Sequence, residues 1–84
     1  MEKYDILTLD NGKDYTISQM VEFNGKDYLL LVEVDDDENI LEEKLIVEKN
    51  KDTNELVVVN DEEEYKNVSS IFTKMILQNL EMND

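Results

Sequence analysis

The chain lacks the side chains on which most enzyme chemistry depends: its 84 residues include no His, no Cys and no Arg. His titrates near neutral pH, a cysteine thiolate is a strong nucleophile, and Arg holds phosphates and carboxylates with a rigid fork. We therefore predict that the protein is not an enzyme and that it uses no cofactor and no dedicated metal ion. Without Cys there is also no disulfide framework, which fits a reducing compartment.

Long apolar runs and proline are missing as well. No stretch approaches the roughly 18 apolar residues that a membrane-spanning helix needs. The first residues, Met1 to Asp5, are polar and acidic and do not resemble a signal peptide. We therefore expect a cytoplasmic protein with no contact to the membrane.

Acidic residues dominate what is present, with 22 Asp and Glu against 8 Lys and a net charge of -14. Binding to nucleic acid or to an anionic membrane surface requires Lys and Arg, so this balance argues against both. The hydrophobic share of 40% is nevertheless sufficient for one modest core. The length predicts a single small domain over residues 1–84.

One five-residue segment occurs twice: Asn11-Gly12-Lys13-Asp14-Tyr15 is repeated letter for letter at residues 24–28. Asn-Gly favours the tight turns that join antiparallel strands, so the two copies predict two consecutive hairpins. The fold class is therefore α+β, an antiparallel sheet of about five strands that begins as a meander, with one C-terminal amphipathic helix packed on one face. The predicted strands cover residues 4–9, 14–23, 28–34, 44–48 and 55–59, and the predicted helix covers residues 61–81.

Alternation within the strands predicts which side chains share a face. In the second strand, the apolar side chains at Tyr15, Ile17, Val21 and Phe23 are expected on one face, which Gln19 interrupts. The third strand is apolar at nearly every position, which is typical of a central strand. Its two expected faces are Tyr28, Leu30, Val32 and Val34 on one side and Leu29 and Leu31 on the other, the latter joined by Ile46 and by Val57 or Val59.

The last quarter of the chain has helical periodicity. Asp61 is the expected N-cap, with Glu64 completing a capping box and Glu62 and Glu63 at the positive end of the helix dipole. Leu77 falls off the apolar stripe. The stripe itself comprises Tyr65, Val68, Phe72, Met75, Ile76 and Leu80.

These features together resemble the YrzB-like family. The resemblance rests on the segments Asp10 to Tyr15 and Phe23 to Leu30, the acid-rich spacer, two further strands, and the helix start at Asp61-Glu62-Glu63-Glu64-Tyr65. It implies the fold just described and a small acidic bacterial protein of unknown function. Because no site residues are established for that family, it implies none here.

Two acid-rich segments are the predicted binding site for a basic protein partner. Three hypotheses follow: a non-enzymatic acidic protein-binding module, a nucleic-acid mimic that inhibits a DNA- or RNA-binding or host-defence protein, and a structural or assembly protein whose charge serves only solubility. The candidate residues are Glu33, Asp35, Asp36, Asp37, Glu38, Glu42 and Glu43, and Asp61, Glu62, Glu63 and Glu64.

A second candidate surface is apolar. Leu29 and Leu31 point away from the face that the helix is expected to cover, so they predict an exposed patch. We expect such a patch to contact a second copy, giving a homodimer, or a client protein.

Other motifs are weaker. Asp35, Asp37 and Asn39 match the start of an EF-hand loop, but Ile40 and Ile46 stand at its Gly and bidentate Glu positions, which leaves only weak divalent-cation binding as an alternative. Glycosidase-type carboxylate pairs lack a cleft and an aromatic platform. Gly12 and Gly25 are turn glycines rather than a phosphate loop, and the helix stripe is expected to pack on its own sheet rather than in a partner's groove.

Overall fold

A computed structural model describes residues 2–82, and the side chains of residues 79–82 lie outside the described part. One antiparallel sheet with the strand order β1-β2-β3-β4-β5 is followed by one helix, which confirms the predicted α+β class. The elements are β1 (Ile6–Thr8), β2 (Asp14–Phe23), β3 (Lys26–Val34), β4 (Ile40–Lys49), β5 (Leu56–Val58) and α1 (Glu62–Met82).

The repeated segment forms both of the first two turns, but the two turns differ. In the first, Leu9 and Lys13 close the hairpin, and Gly12 has a φ of 81°. In the second, Asn24 and Gly25 both have positive φ, 53° and 77°, between the paired residues Phe23 and Lys26. A two-residue turn with both φ values positive suits the twist of a hairpin, whereas the first copy uses one residue more.

The prediction that Tyr15, Ile17, Val21 and Phe23 share one face of β2 is wrong, because Ser18 is an extra residue in the ladder with β3. Ile17 pairs with Leu31, and Gln19 pairs with Leu30. Such a bulge reverses the alternation of the strand beyond it. Tyr15 and Ile17 therefore lie on one face of the sheet, and Val21 and Phe23 lie on the other.

The first face holds a set of buried residues that we call the curl cluster: Tyr15, Ile17, Leu29, Leu31 and Val47. Leu7 of β1 and Leu56 of β5 both pack against it. In a flat sheet β1 and β5 would lie about 19 Å apart, four strand spacings, so contact with one cluster requires a curled sheet. The curl buries this face without a helix.

The expected exposed patch at Leu29 and Leu31 is therefore wrong. Both side chains are 0% exposed within the single chain, because the curled sheet brings its outer strands over them. The expected partner residue Ile46 is also misplaced: it lies on the opposite face, and Val47 joins Leu29 instead. These two leucines consequently belong to the core.

The helix covers the second face, where the helix cluster comprises Tyr28, Ile46, Val59, Val68 and Phe72. Val68 and Phe72 are buried and Met75 partly so, which confirms the centre of the predicted stripe. Tyr65 and Ile76 are 45% and 41% exposed, so the stripe is shorter than predicted. Leu77 is exposed as expected, and the side chain of Leu80 lies outside the described residues.

The connection predicted between the third and fourth strands, residues 35–43, is too long. β4 begins at Ile40, which pairs with Val34, so the turn itself is confined to residues 35–39. The pairing with β4 is irregular between Val32 and Val34. Glu42 and Glu43 are thus strand residues, which gives them fixed positions at the sheet end.

Candidate functional site

The acidic turn is organised by Asp35. Its Oδ1 accepts hydrogen bonds from the backbone N–H groups of Asp37 and Asn39, both at 2.9 Å, and its Oδ2 accepts one from the Asn39 amide at 3.2 Å. The Asn39 backbone N–H is the main cause that holds the pKa of Asp35 below its usual range. Asp35 therefore shapes the turn, and its neighbours Asp36, Asp37 and Glu38 project as exposed carboxylates.

This geometry bears on the partial EF-hand match. Both carboxylate oxygens of Asp35 accept hydrogen bonds from N–H groups of the turn. Among the side chains that the structure describes, residues 2–78, no group of three or more acidic residues is arranged to hold a metal ion.

Lys13 neutralises part of the same end of the sheet. Its Nζ lies 2.8 Å from Glu43 Oε2 and 3.9 Å from Glu33 Oε1. The hydrogen bond with Glu43 is the main cause that raises the pKa of Lys13, and it lowers the pKa of Glu43 in turn. Glu33 and Glu43 are therefore tied to Lys13, which leaves Glu42 as the exposed carboxylate of this strand segment without an ion pair among the described residues.

The helix start forms the second acidic group. Asp61 Oδ1 accepts the Glu64 backbone N–H at 2.9 Å, which confirms Asp61 as the N-cap. Glu64 does not complete the capping box, because its Oε2 accepts a hydrogen bond from the Tyr28 hydroxyl and lies 3.7 Å from Lys26 Nζ. Glu62 and Glu63 remain exposed on the first turn.

The two acidic groups lie at opposite ends of the central strand. The acidic turn follows Val34 at one end of β3, whereas Glu64 reaches Tyr28 and Lys26 at the other. A nine-residue strand rises about 27 Å from its first residue to its last. The predicted site is thus divided into two separate anionic groups.

Sequence reasoning missed how three lysines organise the charge. Lys26 lies 3.2 Å from Glu48 and 3.7 Å from Glu64, and Lys51 pairs with Glu22 and with Asp27, the latter at 3.7 Å. Lys13, Lys26 and Lys51 therefore each contact two carboxylates. For Lys13 and Lys26, the signal available in the sequence was their shared position in the two copies of the repeat.

Sequence reasoning also missed a cleft, which we call the edge cleft. It has a volume of about 460 Å³ and lies between the end of β1 and β5. Leu45, Val47, Leu56 and Val58 form its apolar floor, and Asp10 and Glu55 lie at its rim. No spacing signal in the sequence marks this cleft, since only the curl of the sheet creates it.

The structure thus defines a small α+β protein with a curled antiparallel sheet, one helix and an acidic surface. No helix in the described part of the chain combines the length and apolar character needed to cross a membrane. Residues 6–76 match the family described as "Protein of unknown function (DUF1292)", and the chain belongs to that family.

A "UPF0473 protein" of Alkaliphilus oremlandii (strain OhILAs) is similar to the chain, with 35% identity over 81 residues, covering 89% of this chain and 93% of that protein. No solved structure matches the chain. Membership of a bacterial family of unknown function is confirmed, while the YrzB-like label remains a prediction.

Proposed function

We propose that the chain is a non-enzymatic acidic module of the cytoplasm that binds a basic surface of another protein. The observation that carries the proposal is the unequal distribution of ion pairs. Lys13, Lys26 and Lys51 pair with carboxylates on the strands and at Glu64. Within the described residues, Asp35 and Asp61 of the predicted site have no lysine partner but accept backbone N–H groups. The side chains of the site with neither kind of partner are Asp36, Asp37, Glu38, Glu42, Glu62 and Glu63.

Exposure supports this role. All of these side chains are exposed, so their charge needs no desolvation before a partner approaches. Charges of one sign on a surface accelerate the encounter with a partner of opposite charge. The effect is screened by salt over about 10 Å at 0.1 M, so binding should weaken steeply as salt rises.

The two acidic groups are expected to contribute independently. They are separated by about the length of β3, more than twice the screening distance at 0.1 M salt. Neutralising one group should therefore lower the affinity for a basic partner that covers both groups, without abolishing binding. The position of the larger loss shows which end of the sheet the partner occupies.

The test uses decalysine as a basic probe, with affinity measured by calorimetry at several salt concentrations. The double variant Asp36→Asn/Asp37→Asn removes two charges from the acidic turn. The matched control, Glu2→Gln/Asp52→Asn, removes the same charge from exposed positions elsewhere. We expect the turn variant to bind more weakly than the control at low salt. Equal binding by both variants would show that net charge alone attracts the probe and would contradict the proposed surface.

The nucleic-acid mimic is a separate form of the proposal. A mimic must present carboxylates along the path of a phosphate backbone, and here two groups are separated by strands whose carboxylates are paired with lysines. The geometry therefore supports general binding of a basic protein better than imitation of a continuous duplex. The mimic would become the better-supported function if the chain displaced a duplex oligonucleotide from a DNA-binding protein and the turn variant did not.

A further inference from the structure

The edge cleft exposes apolar side chains that the core does not cover. Val58 is 41% exposed at the cleft, next to Leu56, which is partly buried against the curl cluster. The volume of about 460 Å³ is sufficient for a few medium-sized side chains. The cleft therefore continues the curl cluster to the surface.

The strands beside the cleft have free backbone edges. Val59 N–H donates to Ile46, and the Glu55 carbonyl accepts from Asn50, so residues 55, 57 and 59 face β4. In an antiparallel ladder the intervening residues face the other way. The backbone groups of Leu56 and Val58 thus point to the outer edge of β5, which no strand pairs within residues 2–82.

An acidic side chain lies at each end of the edge cleft. Asp10 lies in the turn after β1, at the end of the sheet where β5 finishes, and Glu55 lies just before β5 begins. Neither makes an ion pair with a lysine among the described residues, and no lysine lines the cleft. Because the chain carries a net charge of -14, a second copy would be repelled.

We infer that the edge cleft binds an extended segment of a basic partner protein, which pairs with the outer edge of β5. Two apolar side chains of the segment fill the floor beside Leu56 and Val58, and basic side chains on the same face reach Asp10 and Glu55. Side chains on one face of a strand recur at every second residue, so the fitting pattern is basic-x-apolar-x-apolar-x-basic. This inference rests on the proposed function and names where on the chain one partner segment lies.

The probe is the blocked heptapeptide Lys-Thr-Val-Thr-Val-Thr-Lys. Its control carries N-methyl groups on three consecutive central amides, which keeps charge and side chains but removes strand pairing. We expect the wild-type chain to bind the first peptide at least about tenfold more tightly than the methylated one, the factor that corresponds to about 1.4 kcal/mol.

Two variants form a matched pair. Val58→Lys places a cation in the cleft, whereas Val57→Lys places the same charge one residue away, at a side chain that is 58% exposed and shares the opposite face with Glu48. We expect Val58→Lys to lower the affinity for the heptapeptide about tenfold, and Val57→Lys to change that affinity by less than about twofold. Circular dichroism confirms that both variants are folded.

Equal weakening by both variants, or equal binding of the methylated peptide, would overturn the cleft assignment. Neither result would affect the binding of decalysine or its dependence on Asp36 and Asp37. The proposed acidic surface and the edge-cleft inference can therefore be contradicted independently. A concentration-dependent dimer that Val58→Lys abolishes would also overturn the inference, by assigning the cleft to a second copy.

Discussion

The two copies of Asn-Gly-Lys-Asp-Tyr have the same letters but stabilise different parts of the molecule. In the first copy, the ring of Tyr15 is buried in the curl cluster and its hydroxyl accepts a hydrogen bond from the Asn11 amide at 3.1 Å. In the second, Tyr28 is buried in the helix cluster, and its hydroxyl donates to Glu64 of the helix. The tyrosine hydroxyl of the first copy thus bonds within its own segment, whereas that of the second connects the sheet to α1.

The difference comes from the turns and from Ser18. The first turn is one residue longer than the second, and the bulge at Ser18 shifts the alternation between the two copies. Their lysines behave alike in kind, each contacting two carboxylates, but Lys13 joins β3 and β4 while Lys26 joins β4 and the helix. Identical local sequence therefore acquires its role from the register in which it is placed.

The largest effect is expected from truncating the tyrosines. Tyr15→Ala and Tyr28→Ala each remove a fully buried ring and should lower the free energy of unfolding by about 3–5 kcal/mol. Hydrogen exchange distinguishes them: Tyr28→Ala should lose protection first in α1, and Tyr15→Ala first in β1. Identical patterns in the two variants would mean that the two clusters open as one unit.

Removing only the hydroxyls of Tyr15 and Tyr28 should reveal a clearer difference in stability between the two copies. Tyr28→Phe deprives the partly buried Glu64 carboxylate of its donor, and hydrogen bonds to charged groups contribute about 1.5–3 kcal/mol. Tyr15→Phe loses a neutral hydrogen bond and should cost about 1 kcal/mol. Urea denaturation at neutral pH measures both, and a larger loss for Tyr15→Phe would contradict the assigned roles.

Tyr28→Phe should also change how the stability of the fold depends on pH. Burial, and then the Glu64 carboxylate, raises the pKa of Tyr28 well above its ordinary value of about 10. The folded state thus holds this proton more tightly than the unfolded state, so its contribution is complete below pH 10 and is lost as pH rises further. Tyr28→Phe should make stability fall less steeply above pH 10, as followed by denaturation at several pH values.

Replacing the two turn asparagines with Gly should have different effects on stability. Asn24 has a φ of 53°, a conformation that Gly adopts without strain, so Asn24→Gly should be neutral or slightly stabilising. Asn11 Oδ1 accepts the Lys13 N–H, and its amide binds Tyr15, so Asn11→Gly should cost about 1 kcal/mol. Thermal melts of the two variants check this, and a loss at both positions would show that the turns are equivalent.

The smallest effect is expected at the lysines. Lys13→Gln and Lys26→Gln remove exposed ion pairs, and exposed pairs contribute little to stability. Both losses should fall below those of the tyrosine variants and shrink as salt is raised. Lys26→Gln should be the more harmful of the two, because Lys26 contacts the helix through Glu64. Melting temperatures at low and high salt provide the comparison.

Much of the fold could be predicted because local signals mark it. Asn-Gly turns, the central apolar strand and the Asp61 cap each depend on a few neighbouring residues. The bulge at Ser18 could not be derived in this way, although Gln19, which interrupts the apolar alternation, was its visible trace. Whether Leu29 and Leu31 are exposed depends on the curl of the whole sheet, which no local pattern specifies.

The candidate site shows the same division. The acidic segments are evident from composition, but the hydrogen bonds of Asp35 and the reach of Glu64 to Tyr28 depend on tertiary neighbours. Carboxylates that looked equivalent in the sequence therefore separate into those that build the structure and those that project from it. The edge cleft lies between strands at the two outer edges of the sheet, so its residues could not be grouped before the fold was known.

The extra residue at Ser18 has a consequence for how the family can diverge. Loops such as residues 35–39 can change length without altering a pairing register, whereas loss of one residue between Ile17 and Gln19 would exchange interior and exterior for half of β2. Spacing in this strand should therefore be more constrained than the identity of its letters. The interval from Asn11 to Asn24 is expected to persist among relatives whose sequences have otherwise drifted.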